Sequence, residues 1–476
     1  MNEKNNKRKL NLFSALLPLL VIIVFGLLSV IKWKGGMNIP ILSGIITAGI
    51  IGIWLGFTWD ELQQGLIKGV SRALPPLFII IIIGIIIGSW IQAGIIPSLI
   101  YYSLKVISPQ IFVPAACFVT AIIATATGTS FTSIATVGLA LMATGLGMGF
   151  PAPLLAGAII SGAYFGDSLS PLSDTTNMAS AMSNCTLFEL IGHLSKSGIP
   201  ALMFSLIMYY FFGIKYTTQA SMNIDAIGEI LQGLKNSFVI SPWLMLIPVI
   251  TIIFSIKKFP AIPSLISVAL MGGLAAILIQ DSDVGSVVRT MTNGFTSNTG
   301  VKMVDSLLTR GGINSMGGTV ILLTLAVALG GILEEIGSLE LILEKIMKKV
   351  SSAGQLVLVT VLSSLVTALA TGAQLLAIMI PARMFQKAYK DFNLHPKNLG
   401  RIAQSIGCIC INLVPWSVPA LFAQSVLGVQ ALEFVPYIFF AYFTIIINIF
   451  YGFTGLTLDK IPKTSCIHDE EAINEY

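Results

Sequence analysis

Twelve apolar runs follow one another along the chain with short polar connections between them. They fall at residues 10–31, 39–57, 74–92, 111–146, 153–180 and 187–212, then at 238–256, 261–280, 316–333, 355–382, 402–428 and 434–455. A bilayer core is crossed by roughly 20 apolar residues in a helix, so 476 residues arranged this way thread it about ten to twelve times. Only 10% of residues are charged and the mean hydropathy is +0.88, against roughly 25% charged in a soluble domain. The expected fold class is an all-α polytopic membrane protein with no soluble domain of useful size.

The first run is preceded by Lys4, Lys7, Arg8 and Lys9. It is too long for a signal-peptide core and lacks an Ala-x-Ala-like exit, so it reads as a retained first helix. The net charge of +5 reflects basic residues gathered in loops, and nothing points to a nucleic-acid partner. Of Cys117, Cys185, Cys408, Cys410 and Cys466, four lie in or beside apolar helices and read as packing residues. Cys408-Ile-Cys410 has neither the spacing nor a neighbouring His for a zinc or redox pair.

Within the fifth run stands Gly166-Asp-Ser-Leu-Ser-Pro-Leu-Ser-Asp-Thr-Thr-Asn177, with two carboxylates and six hydroxyl or amide side chains. Charge at membrane depth is costly and marks ion or proton pathways, and irregular backbone is tolerated there only where it faces protein or a polar cavity. Pro171 between Asp167 and Asp174 suggests a broken helix whose unwound middle presents carbonyls, hydroxyls and carboxylates together. That is an all-oxygen, hard-cation ligand set. The plainer alternative is a surface loop that starts the next helix.

The chain also repeats itself. At a constant offset of 244, Ala124-Thr-Ala-Thr-Gly128 pairs with Ala368-Leu-Ala-Thr-Gly372, Ser161 with Ser405, Pro171 with Pro415, Ser173 with Ser417 and Glu189 with Glu433. If each unit has three plain crossings, a re-entrant hairpin, a broken crossing and a final crossing, it crosses five times. The second unit is then inverted relative to the first. With both termini cytoplasmic, nineteen Lys and Arg lie inside and eight outside, as the positive-inside rule requires. The expected organisation is 1–213 as first repeat, 214–238 as extracytoplasmic linker, 239–459 as second repeat and 460–476 as cytoplasmic tail. Residues 281–315 read as a second long loop, and 60–72 and 339–350 as amphipathic interfacial segments.

Three polar groups converge under this arrangement: Asp167, Ser168, Ser170, Ser173, Asp174, Thr175 and Asn177 in the broken segment; Thr127, Thr129 and Ser130 at the first hairpin tip; and Thr371 and Gln374 at the second tip, with Asn412 and Ser417 in the second broken segment. Hydroxyls in membrane helices often bond back to their own turn, which is the competing account of each Ser and Thr alone. At the same offset Asp167 falls on Ile411 and Asp174 on Val418, so only the first unit supplies acids. A carboxylate that holds either a proton or a sodium ion, combined with alternating access, suffices for antiport. Glu334 and Glu335 read equally as relay acids or as a solvated helix end. Glu189 and Glu433 read as helix-capping residues, and His193 as an interfacial histidine rather than a pH sensor. No Ser/His/Asp or metalloprotease motif is present.

The polar string, the Ala-Thr-Gly tip, the Trp416 region and the duplicated halves together resemble the NhaC family of bacterial Na+/H+ antiporters over nearly the whole chain. The resemblance implies a secondary transporter of the inner membrane, with Na+ and H+ as its cargo and no cofactor. It carries Asp167 and Asp174 over as the Na+-binding acids, with Ser168, Ser170, Ser173 and Thr175 as neighbours. It equally implies relatives that move organic solutes, such as malate and protons against lactate and sodium. No Lys or Arg stands between Lys105 and Lys196 or between Arg401 and Lys460, which favours simple cations over such an anion. A passive cation channel is the alternative of another class. A homodimer is allowed for, although no residue argues for one.

Overall fold

The computed structural model describes residues 8–106, 109–219, 224–257, 259–301, 304–305, 308–347 and 350–461. The expected tail beyond Ile461 lies outside them, as do Cys466, part of the linker, and Lys4, Lys7, Lys258, Lys302, Lys348, Lys349 and Lys463 of the charge count.

The described chain is helical, and its β pairing is limited to isolated bridges at Phe295–Arg310 and Leu394–Lys460. Helices α1 (Leu12–Leu27), α2 (Asn38–Leu55), α3 (Trp59–Arg72), α4 (Leu74–Gln92) and α5 (Ile95–Val106) lead into a hairpin of α6 (Pro109–Thr127) and α7 (Ser130–Gly147). A broken pair follows, α8 (Ala152–Leu169) and α9 (Asp174–Ser183), then the long α10 (Leu187–Gln219). The second half runs through α11 (Ile224–Ser237), α12 (Leu246–Ile256), α13 (Ala261–Ile279), α14 (Val284–Asn293), α15 (Gly317–Glu335) and α16 (Ser338–Met347). It closes with a hairpin of α17 (Ala353–Thr371) and α18 (Gln374–Asp391), a pair α19 (Pro396–Gln404) and α20 (Val418–Leu427), and α21 (Phe439–Thr454). Among the described residues, nine helices are long and apolar enough to cross a membrane, or up to twelve if each of three bent pairs counts as one span. This is a polytopic all-α membrane protein.

Two stretches read as loops carry helices. The linker is shortened by α10 and α11, and α14 occupies the first third of 281–315. Val284, Val287, Val288 and Met291 recur at helical spacing, and Asp283 caps the start by accepting the Ser286 N–H at 2.9 Å. The surrounding Gly and polar residues masked that short signal. The Thr186–Glu189 capping box forms, with the Thr186 N–H donating to the carboxylate at 3.1 Å. Glu433 makes no equivalent bond, because Gln430 stands where Thr186 stands in the first half.

Small residues decide which helices touch. Gly162 and Gly166 on α8 face α6 so closely that added Cβ atoms would lie 2.0 Å from the Cys117 carbonyl oxygen and 2.3 Å from that of Ala121. Helices in lipid gain little from apolar burial and associate instead by close packing of such small-x-x-x-small faces. The amphipathic α3 uses the same device. Gly65 and Gly69 seat it on α15, where a Cβ on Gly331 would come within 2.1 Å of the Gly65 carbonyl. Glu334 and Glu335 at the end of α15 pair with Arg72 and Lys68 of α3, the latter at 3.2 Å. These exposed pairs contribute about 0–1 kcal/mol each.

Candidate functional site

Both hairpins turn on a glycine in the left-handed region, Gly128 at φ +73° and Gly372 at φ +60°, and each tip meets the break in its own broken pair. A Cβ on Gly128 would lie 2.5 Å from Leu172, and the Val418 N–H donates to the Gly372 carbonyl at 2.8 Å. The Trp416 indole N–H locks the second tip by donating to the Leu369 carbonyl at 2.9 Å. Beyond each break a serine restarts the helix: Ser173 accepts the Thr176 N–H and Ser417 the Ala420 N–H, both at 3.3 Å. Residues 244 positions apart thus perform the same local tasks.

Asp167, in the last turn of α8, is buried, and its carboxylate accepts the Ser130 N–H from the hairpin tip at 3.2 Å. Across from it runs α19, which continues through a π-helical turn at Ser405–Ile409 and a 3-10 turn at Cys410–Leu413. The two broken segments are stitched together by polar contacts. Gln404 Nε2 donates to Thr175 and Thr176 at 3.1 and 3.0 Å, Thr176 donates to the Ser168 carbonyl at 3.1 Å, and Thr175 Oγ1 lies 3.4 Å from Cys408 Sγ. Gln374, from the second tip, donates to the same sulfur at 2.9 Å. Elements from both halves and both hairpins therefore meet around Asp167.

Three buried oxygens in this cluster have no hydrogen-bond partner: Tyr164 Oη, Gln404 Oε1 and Asn412 Oδ1. Tyr164 lies one turn before Asp167 and close to Ser130 and Asn412. Orphaned buried polar atoms are uncommon because each forfeits its hydration. Buried oxygens gathered in one cluster with a carboxylate suit a bound hard cation. Asp174 occupies different ground. It is exposed at the first turn of α9 and lines a cavity of about 420 Å³ with Thr127, Gly128, Thr129 and Thr132 of the hairpin and Thr251 and Ser264 of α12 and α13.

The remaining residues named from sequence divide by role. Ser168, Thr371 and Ser417 donate back to carbonyls of their own segments, and Asn412 Nδ2 donates to the Ile409 carbonyl. Thr127 pairs with Ser133 at 3.1 Å, and Thr129 caps α7. Ser170 accepts the Leu172 N–H inside the break. Asn177 is exposed and clamps the break by donating to the Pro171 and Ser173 carbonyls. Glu334 and Glu335 lie in the α3–α15 ion pairs described above. His193 is buried, with Nε2 2.8 Å from the Thr457 carbonyl.

Sequence reasoning missed Tyr164, Gln404 and Cys408. One signal was present, since Tyr164 and Cys408 pair at the offset of 244. Cys408, read as packing, is a contact of both Thr175 and Gln374. Arg401 is fully buried against Tyr451 and hydrogen-bonded to Thr457.

Residues 162–456 match the model of the Na+/H+ antiporter family. The Na+/H+ antiporter NhaC of Bacillus subtilis is 35% identical over 87% of this chain and 92% of its own length. The protein of the same name from Alkalihalophilus pseudofirmus is 32% identical over 95% and 98%. The malate-2H+/Na+-lactate antiporter of Bacillus subtilis is 33% identical over 91% and 94%.

Proposed function

Because the chain belongs to the NhaC family of Na+/H+ antiporters, we propose that it exchanges Na+ for H+ across the cytoplasmic membrane at a site built on Asp167. The observation that carries this reading is the buried Asp167 carboxylate beside the three unsatisfied oxygens of Tyr164, Gln404 and Asn412. Sodium entering that cluster gains the carboxylate and neutral oxygens together. A proton on Asp167 removes the charge and with it most of the reason for sodium to stay. One ion therefore leaves as the other arrives.

The two halves act as inverted repeats of five crossings each, 1–213 and 239–459, with both termini cytoplasmic. The equivalent tasks of Gly128 and Gly372, and of Ser173 and Ser417, support the repeat. The Asp174 cavity opens near the junction of α12 and α13, which this topology places on the cytoplasmic side. Asp174 is then the acid an ion meets first, while Thr127, Thr129 and Ser130 form the wall between cavity and site. The hairpin tips serve as the moving gates of alternating access. A membrane potential supplies driving force on the right scale, about 2.3 kcal/mol per charge per 100 mV.

The 33% identity to a malate-2H+/Na+-lactate antiporter favours one second reading, organic-acid exchange coupled to Na+ and H+ on the same scaffold. Proteoliposomes separate the two. Collapse of an imposed pH gradient by external sodium alone is the expected result. A response that waits for malate or lactate on the opposite face would move the protein to the second reading.

A further inference from the structure

A second cavity, of about 290 Å³, lies between the N-terminal end of α15, the C-terminal end of α20 and Ile87 of α4. It shares no lining residue with the Asp174 cavity, and the loop that supplies Arg310 and Gly311 is pinned to α4 by the Gly312 N–H donating to the Gly84 carbonyl at 2.7 Å. Arg310 comes from that loop and lines the cavity with Gln424, Gln430, Ser315 and Thr319. Among the described residues no acid lines it. The Arg310 Nε is buried and donates to nothing among the described residues, and no carboxylate there faces the guanidinium. Burial lowers its pKa to about 10, which leaves it charged at neutral pH.

A half-buried cation without a counterion is costly. The C-terminal end of α20 offsets part of the cost, since Gly428 closes that helix beside the guanidinium and cations are favoured at helix C-termini. It does not use the donors: the Gly428 N–H already bonds to the Gln424 carbonyl at 2.9 Å, and the guanidinium bonds to neither residue. Gln424 Oε1 is likewise engaged, accepting the Ala431 N–H at 2.9 Å, so its amide has only N–H groups left to offer. The N-terminal end of α15 adds partial positive charge from the same wall. The cavity therefore presents the donors of Arg310 and Gln424 and the positive end of α15, set against the partial negative charge of the α20 C-terminus.

We infer that this cavity is a binding site for a small carboxylate anion, held bidentately by Arg310 and assisted by Gln424. A planar guanidinium matches the two oxygens of a carboxylate. The volume lies at the bottom of the usual range for small-molecule pockets, roughly 300–1,000 Å³, and suits an acid of a few carbons. Arg310 lies outside the two stretches, between Lys105 and Lys196 and between Arg401 and Lys460, that lack Lys and Arg. The site does not depend on the sodium site and lies on the extracytoplasmic side in the topology proposed above.

The test is calorimetric titration of the full-length protein in neutral-lipid nanodiscs with L-malate and with L-lactate, at fixed Na+ concentration and pH and with sulfate as the control anion. Saturable binding of at least one acid at millimolar concentration is expected. Arg310→Gln should weaken it by about tenfold or more. Arg310→Lys keeps the charge but loses the fork, so it should also weaken binding, and it decides the matter if Arg310→Gln fails to fold. Arg310→Gln should still collapse a pH gradient on addition of sodium, which separates this inference from the antiport reading. The inference is overturned if neither acid binds, if sulfate binds as well as both acids, or if the folded variants bind as tightly as the natural protein.

Discussion

Asp167→Asn is expected to reduce sodium-driven proton movement in proteoliposomes to the level of empty vesicles, with protein yield and thermal unfolding close to those of the natural protein. The amide keeps the shape of the side chain and an oxygen that can accept the Ser130 N–H, so the hairpin tip stays docked. What disappears is the only acid, among the described residues, buried in the cluster where both halves meet. Without it sodium has neutral oxygens alone, and the proton has nowhere to go. Asp174→Asn, at the exposed mouth of the cavity, should reduce the rate only a few-fold and chiefly through the apparent affinity for sodium. Competition at Asp167 also sets a pH dependence. The apparent KM for Na+ should rise as pH falls, approaching about tenfold per unit once the proton is the usual occupant. Full sodium-driven proton movement by a well-folded Asp167→Asn protein would remove Asp167 from the mechanism.

Gly162→Leu is expected to give the largest loss of stability of any single change in the first half. Its Cα sits where α8 crosses α6, and even one added carbon would lie 2.0 Å from the Cys117 carbonyl oxygen, a backbone atom that no rotamer change can move. The helices must separate. Overpacking of this kind typically costs about 1–3 kcal/mol, and more where backbone has to shift. Because α6 carries the hairpin tip and α8 carries Asp167, separation also pulls Ser130 from the carboxylate. Unfolding followed by size-exclusion fluorescence in detergent should show a lower midpoint and a smaller monodisperse peak. Gly192→Ala is the control, since a Cβ there meets nothing within 4 Å. Equal behaviour of the two variants would show that the α6–α8 approach is not what holds the hairpin.

How the chain divides between what is legible and what is not follows from the range of the forces involved. Membrane helices, the break at Pro171, the glycine turns at Gly128 and Gly372 and the serine caps at Ser173 and Ser417 are local events, decided by hydropathy, a missing amide proton or a positive φ within a few residues. The helices, the break and the glycine turns were readable in order along the chain, and the offset of 244 tied them into two sets; Ser173 and Ser417, read as ion ligands, were shown to be caps only by the structure. The short helix α14 was missed because its apolar stripe is diluted by glycine and polar residues. The cap expected at Glu433 failed because its partner position holds Gln430.

Tertiary structure alone decided the composition of the site. Gln404 meets Thr175 and Thr176, and Gln374 meets Cys408, only because two broken segments cross, and nothing in the neighbourhood of Gln404 in sequence distinguishes it from a residue facing lipid or loop. The same holds for Arg310 and Arg401. A sequence places each in a polar stretch or at a helix start, while the packing of other helices over them turns one into the lining of a cavity and the other into a buried neighbour of Tyr451. Burial is a property of what covers a residue, and the covering comes from segments far along the chain. The sequence by itself therefore determined that this protein spans a membrane and where its helices break. Which oxygens and cations those breaks gather was determined by the close approaches that its glycines permit.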